Sequence, residues 1–176
     1  MSNFNQLFNV NEGNVYQAFH SAEGVAANSN IDIGFTTPAN PASDVPKYQT
    51  IRAFFLFSAS GADFGGCDLQ VKEAPSALSG GSAAVWRNMN RKCGKVPDVL
   101  SVANVVGGFT TDPTTITGGT VIHKDMAGHG NIGGMDLLIA RLPLLLNVNT
   151  DYVATVTSDT ADTTLMLRII LEQIEN

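Results

Sequence analysis

Three histidines, His20, His123 and His129, are the only imidazoles in the chain, and no two have the spacing that sets ligands on one helical turn. His123 and His129 with Asp125 could meet across a hairpin. A metal site, however, needs three or four converging ligands and a shell that orients them, so an idle loop histidine is the simpler reading. Gly128-His129-Gly130-Asn131-Ile132-Gly133 spells G-x-G-x-x-G. A dinucleotide loop must open a helix whose amides and dipole meet the pyrophosphate. Here the segment runs into Gly134 and is stopped by Pro143, so it reads as a β–β loop. There is no G-x-S-x-G elbow, the carboxylates are scattered with no pair expected to raise a pKa, and Cys67 and Cys93 are too far apart for a zinc knuckle. The residues support no catalytic, metal or cofactor assignment.

The most unusual run is Trp86-Arg87-Asn88-Met89-Asn90-Arg91-Lys92-Cys93-Gly94-Lys95. It holds four of ten basic residues, no acid and the only tryptophan, in a chain of net charge −6. It reads either as a solvated loop beside a buried Trp, or as a contact loop whose arginines meet carboxylates of another chain, Trp and Arg being the residues that anchor interfaces. Trp86, Arg87, Asn90, Arg91, Lys92 and Lys95 are the interface candidates. Four charges on an acidic protein give only weak, salt-sensitive binding to nucleic acid, so no nucleic-acid partner is expected.

The elements that must carry these residues are strands. Charged residues make up 15 % of the 176-residue chain, and Gly is abundant at 17 residues, a composition of turns and of strands with uncharged polar faces. Ile31, Ile33 and Phe35 alternate with polar residues or glycine, as do Leu69 and Val71. Ile51–Phe57 is apolar on both faces and should be central or covered twice. Ala83–Asn88 and Val121–Lys124 are weaker strands, and residues 97–119 are too interrupted by Gly and Pro for a long element. Val99–Val106 alone has possible helical spacing. Leu137–Leu142, Tyr152–Thr157 and Thr164–Leu171 close the chain. In the last, Leu165, Leu167, Ile169 and Leu171 share one face, and Met166 and Ile170 on the other present surplus apolar surface expected between subunits.

Eight or nine short antiparallel strands with Gly/Pro turns predict an all-β jelly-roll β-sandwich over residues 15–176. Residues 1–14 read as an Asn-rich arm whose Phe4, Leu7 and Phe8 are candidates for docking on a neighbour. The first residues lack a basic region followed by an apolar one, and the longest apolar stretch is half a membrane span. Neither a secretory leader nor a membrane partner is expected, and both thiols should be free in a reducing cytosol.

The order of the pieces resembles small jelly-roll virion proteins of tailed bacteriophages, the head decoration or cement proteins. The likeness rests on Ile31-Asp32-Ile33-Gly34-Phe35-Thr36-Thr37-Pro38 and on Asn88-Met89-Asn90-Arg91 followed by Gly119-Thr120-Val121-Ile122. The closing layout adds Leu142 to Leu146, Asn149-Thr150-Asp151-Tyr152-Val153, and Leu165 to Glu172. An aromatic before the closing Glu, expected from the family, is absent: the chain has Ile170-Leu171-Glu172. The resemblance implies a non-enzymatic virion component without cofactors, assembled in the bacterial cytoplasm. It would sit on the capsid exterior, bind the major capsid protein and self-associate, as a trimer in preference to a dimer. A tail- or fibre-associated module recognising a host glycan is the alternative. A cupin-type enzyme would need His20 and His123 pointing into a barrel, and is the weakest.

Overall fold

The computed structural model describes residues 13–39, 48–61, 66–97, 108–127, 138–139 and 143–175. Period-two alternation in the sequence becomes strands with one face inward. The first sheet contains β1 (Val15–Val25), β3 (Tyr48–Ser60), β7 (Val85–Asn88), β11 (Leu138–Ile139), β12 (Leu144–Leu146) and β14 (Thr163–Glu175). Its order is β11-β3-β14-β1-β7, with β12 also on β3. The second contains β2 (Asn30–Thr36), β4 (Cys67–Glu73), β6 (Ser82–Ala83), β8 (Thr110–Thr111), β10 (Thr120–Ala127) and β13 (Asp151–Ser158), in the order β10-β4-β13-β2-β8-β6. β5 (Ala77–Ser79) and β9 (Thr115–Thr117) form a two-stranded ribbon.

The pairings are nested: β1 with β14, β2 with β13, β3 with β11 and β12, β4 with β10, all antiparallel. The ribbon folds over so that β3 also joins β14 and β4 joins β13. Two packed antiparallel sheets bear out the all-β sandwich expected from the alternation.

Between the sheets lies one core. β3 gives Ala53, Phe55 and Phe57, β14 gives Leu165, Leu167, Ile169 and Leu171, β2 gives Ile31, Ile33 and Phe35, and β4 and β13 add Leu69, Val71, Tyr152 and Val156. The outward face of β3 is apolar too, as the sequence suggested: Phe54 and Leu56 are buried with Val15 and Ile170, and Met89 packs on them. The surplus on β14 is therefore satisfied in part within the chain, not between subunits. Ile170 is buried, and only Met166, at 39 % exposure, faces solvent.

The described residues form fourteen strands, more than the eight or nine expected. The excess lies largely in the excursion between β4 and β10, where five strands of two to four residues pair only across long sequence separations. The excursion adds β7 beside β1 and β8 and β6 beside β2, closing that edge of the sandwich. Phe109 is its plug, fully buried with its ring 5.3 Å from that of Phe35. The β5–β9 ribbon lies on the outside of β2 at Gly34, where a Cβ would stand 3.3 Å from Pro113 and 3.4 Å from Leu78.

The expected strand at Ala83–Asn88 is broken at Ala84, whose amide donates to the Phe109 carbonyl (2.8 Å). The strand read at Leu137–Leu142 is described only as Leu138–Ile139, and the last strand runs on to Glu175. Phe4, Leu7 and Phe8 of the arm, the Val99–Val106 stretch, and His129 with its glycine-rich loop lie outside the described residues.

Candidate functional site

The basic run sits at a corner of the sandwich. β7 is the edge strand of the first sheet, placed by its register with β1: Tyr16 opposite Asn88, Gln17 opposite Arg87, Ala18 opposite Trp86. Alternation then sends Arg87 to the outer face with Gln17 and turns Trp86 the other way, half-buried against the core, its ring edge-on to Tyr16 at 6.4 Å. The Trp anchors the strand and the arginine is presented.

Asn88 builds the loop that follows. Its buried amide donates to the carbonyls of Gly13 (2.8 Å) and Lys95 (3.1 Å), while its Oδ1 accepts the Asn90 amide (2.8 Å). Asn90 in turn accepts the Lys92 amide at its Oδ1 (3.1 Å) and the Cys93 amide at its carbonyl (3.0 Å). These are the local side-chain bonds by which Asn replaces a regular ladder in turns. Asn90 thus shapes the loop. Cys93 packs on Gly13, where φ is +71° and a Cβ would come within 2.4 Å of the sulfur, so that position tolerates only glycine. Both cysteines are free, Cys67 buried and Cys93 half-buried.

Arg87, Arg91 and Lys95 are exposed around a shallow recess of about 380 Å³, and Lys92 is exposed on the same loop. Lys95 Nζ donates to Asn14 Oδ1 (2.9 Å), and among the described residues no carboxylate lies within ion-pair distance of any of the four. The structure brings the six sequence candidates together at one corner. It ties the end of the arm to the same place, since the Gln173 amide donates to the Asn14 carbonyl (3.0 Å) and the Met89 amide to that of Val15 (2.9 Å).

Sequence reasoning missed two features. The first is a recess of about 590 Å³ on the outer face of the second sheet, across β10, β4 and β13. The register sets Lys124, Gln70 and Thr155 in one row and Met126, Asp68 and Thr157 in the next. Asp125, Asp159 and Asn28 complete its lining. Asp68 lies in the outward rows with Lys124, Asp125 stands opposite the core residue Leu69, and Met126 is 62 % exposed.

The second is a buried carboxylate. Asp32 is held by the Thr155 hydroxyl and the Asn30 amide. Its own backbone N–H donates to Asp112 Oδ1 (2.9 Å), its carbonyl accepts the Asp112 amide (3.0 Å), and Asp112 Oδ2 pairs with His20 Nε2 (2.7 Å). Burial raises the Asp32 pKa, and the Asp112 charge raises it further against its hydrogen bonds and His20. The expectation that no carboxylate would be shifted upward is corrected here: folding brings together residues 80 positions apart. His20 sits at the strand edge with Asp112. Among the described residues, no group of His, Cys, Asp or Glu could hold a metal.

No protein-family model matches the chain, and no curated protein matches it. Among solved structures, the infectious bursal disease virus VP2 subviral particle is similar at 10 % identity and a TM-score of 0.20, covering 92 % of this chain and 42 % of that one. A structure of the Gt strain of the same virus stands at 10 % identity and 0.20, covering 92 % of this chain and 40 % of that one. The chain spans less than half the length of these structures, and a likeness so slight bears on neither its fold nor its activity.

Proposed function

We propose that the protein is a non-enzymatic structural component of a virion that works by binding other protein chains, as a decoration or cement protein on the outside of a phage head. The supporting observation is the corner around Trp86. Four exposed cations without carboxylate partners among the described residues ring a half-buried tryptophan on an edge strand, the composition of an interface anchor. The phage head as the setting rests on the resemblance in strand layout. Decoration proteins work by adding buried interface between capsomers, and modest affinity per copy suffices when many copies bind.

The test is co-sedimentation of the purified protein with decoration-free heads of its phage. Binding by wild type and weakened binding by Arg91→Glu, with the melting temperature unchanged, supports the reading. Failure of wild type to bind any head surface overturns it.

The recess on the second sheet favours a second reading, a glycan-binding module, because its rows of Gln70, Thr155 and Thr157 offer neutral hydrogen-bonding groups in a concave setting. Among the described residues no aromatic ring lines it for stacking on a sugar face. Binding to a panel of host surface polysaccharides, lost in Gln70→Ala, would support that reading over the first.

A further inference from the structure

The strand register lays two rows of side chains across the outer face of the first sheet. Arg87, Gln17 and Ile170 stand side by side on β7, β1 and β14, and Val85, Phe19 and Arg168 form the next row. The floor is packed, because Ile170 is buried with Phe54 and Leu56 and Met89 lies against them. Above that floor Val85 is 52 % exposed, Met166 is 39 % exposed, and Phe19 is half-buried. Arg91 comes over from the loop, so that Gln17, Arg87, Met89 and Arg91 line a recess of about 280 Å³. Trp86 points the other way, toward the core.

The charges on this face are unbalanced. Neither row holds a carboxylate, and Glu172, in the row beyond Ile170, is already paired with Arg52. Arg168 has a further mark: its Nε is buried and has no hydrogen-bond partner among the described residues. A buried guanidinium donor without an acceptor is destabilising, and a carboxylate arriving from outside removes that cost.

We infer that this face is the docking surface and that its occupant is an extended acidic segment of a different protein chain. The inference deepens the proposed structural role by naming the surface and its partner's chemistry, and rests on that role for placing the partner in a phage head. Arg87 and Arg168 are two strands and one two-residue step apart, about 12 Å between Cα atoms. Along a partner strand, side chains on one face recur every second residue, about 6.7 Å apart. Carboxylates at positions i and i+4 therefore reach both arginines, and an apolar side chain at i+2 falls on Phe19, which lies between them. A second copy of this chain supplies no such segment, since none of its sixteen acidic residues stands four positions from another.

Two measurements on the full chain test this. In co-sedimentation with decoration-free heads, Arg168→Met should weaken binding by roughly 30-fold. Its melting temperature should hold or rise, because an unsatisfied buried donor is removed. Lys124→Met, an equal loss of charge on the second sheet, should bind as wild type. In the second measurement, by NMR, a capped peptide with the core Glu-Thr-Leu-Thr-Glu should shift the amides of Gln17, Phe19 and Val85. A peptide of the same composition with its two acids adjacent should bind roughly tenfold more weakly. Equal binding of the two peptides overturns the inference, as does tighter binding of polygalacturonate, an acidic glycan without the apolar side chain. The two claims fail separately. Arg168→Met that binds heads as well as wild type sinks this face alone, and a peptide that binds the face of a protein that binds no head sinks the role on heads alone.

Discussion

Asp32 and Glu172 are both almost completely buried carboxylates, and they are met by different partners. Glu172 is 1 % exposed and faces Arg52 across the β3–β14 ladder, with which it forms an ion pair on the outer face of the first sheet. Removing only one member leaves an uncompensated buried charge. Arg52→Met should lower stability by about 3 kcal/mol, read as the shift in a urea midpoint at constant slope. Asp32 has hydrogen bonds but no ion pair among the described residues, and burial, with the Asp112 charge adding to it, raises its pKa against the bonds from Thr155 and Asn30. A carboxyl whose folded pKa lies above its unfolded value binds its proton more tightly when folded. Its ionisation therefore costs stability as pH rises from the unfolded value of 3.8 through the raised one, and below that window the cost is absent. Asp32→Asn removes this ionisation while keeping groups that can bond Thr155 and Asn30. The stability of wild type relative to Asp32→Asn should fall as pH is raised from 3.8 through the raised folded value toward neutral. A difference that is flat across that range, measured by chemical denaturation at each pH, would show that the carboxyl titrates normally.

Local pattern made the long strands readable, and its absence hid the rest. Ile31–Phe35 and Leu69–Val71 alternate because one face meets the core, Leu165, Leu167, Ile169 and Leu171 hold that face in the last strand, and both faces of β3 are apolar because a second cluster covers the outside. The short strands of the excursion carry no such period. β6 and β8 are two residues each, held only by pairing with partners far along the chain, so nothing local marks them. The basic run was visible as a break in charge pattern. The recess and the His20–Asp112–Asp32 chain were not, since they assemble from separate strands. The excursion nevertheless contributes to the core through one side chain. Phe109 is fully buried against Phe35, and Tyr152 stacks on the other side of Phe35 at 5.7 Å. Phe109→Ala would leave a cavity between the sheets at the edge that β6–β8 closes, costing about 3–5 kcal/mol. Because β7 belongs to the same excursion, the substitution should also loosen the basic corner, seen as faster hydrogen exchange at Met89 and Cys93, whose amides bond to Val15 and Asn90. Exchange unchanged there, with stability lowered, would mean that the corner is held by β1 alone.

At the scale of the whole molecule, the fold places its polarity where assembly can use it. The arm joins the sandwich at the basic corner, where Gly13 and Asn14 are bonded to Asn88, Lys95 and Gln173. Its residues 1–12 hold Phe4, Leu7, Phe8 and Val10 among Asn, Ser, Gln and Glu. Ordering such a segment costs about 1–2 kcal/mol per residue of backbone entropy, and each buried Phe or Leu returns at most about 3 kcal/mol. The return approaches the lower end of that cost only when all four apolar side chains enter a groove, so any net gain is small. Deleting residues 2–12 should leave the sandwich intact, since β1 keeps its whole pairing with β14 from Val15 onward, and the melting temperature of the isolated fold should not move. Self-association should weaken by roughly tenfold, the size expected when a contribution of about 1.4 kcal/mol is lost. The arm and the corner also differ in what opposes them. Loss of the arm removes apolar burial and should weaken assembly equally at low and high salt, whereas Arg91→Glu should weaken it most at low salt, where charge is least screened. If the truncated chain assembles and binds heads as tightly as the full one, the phenylalanines of the arm have no partner and the corner alone carries the contact.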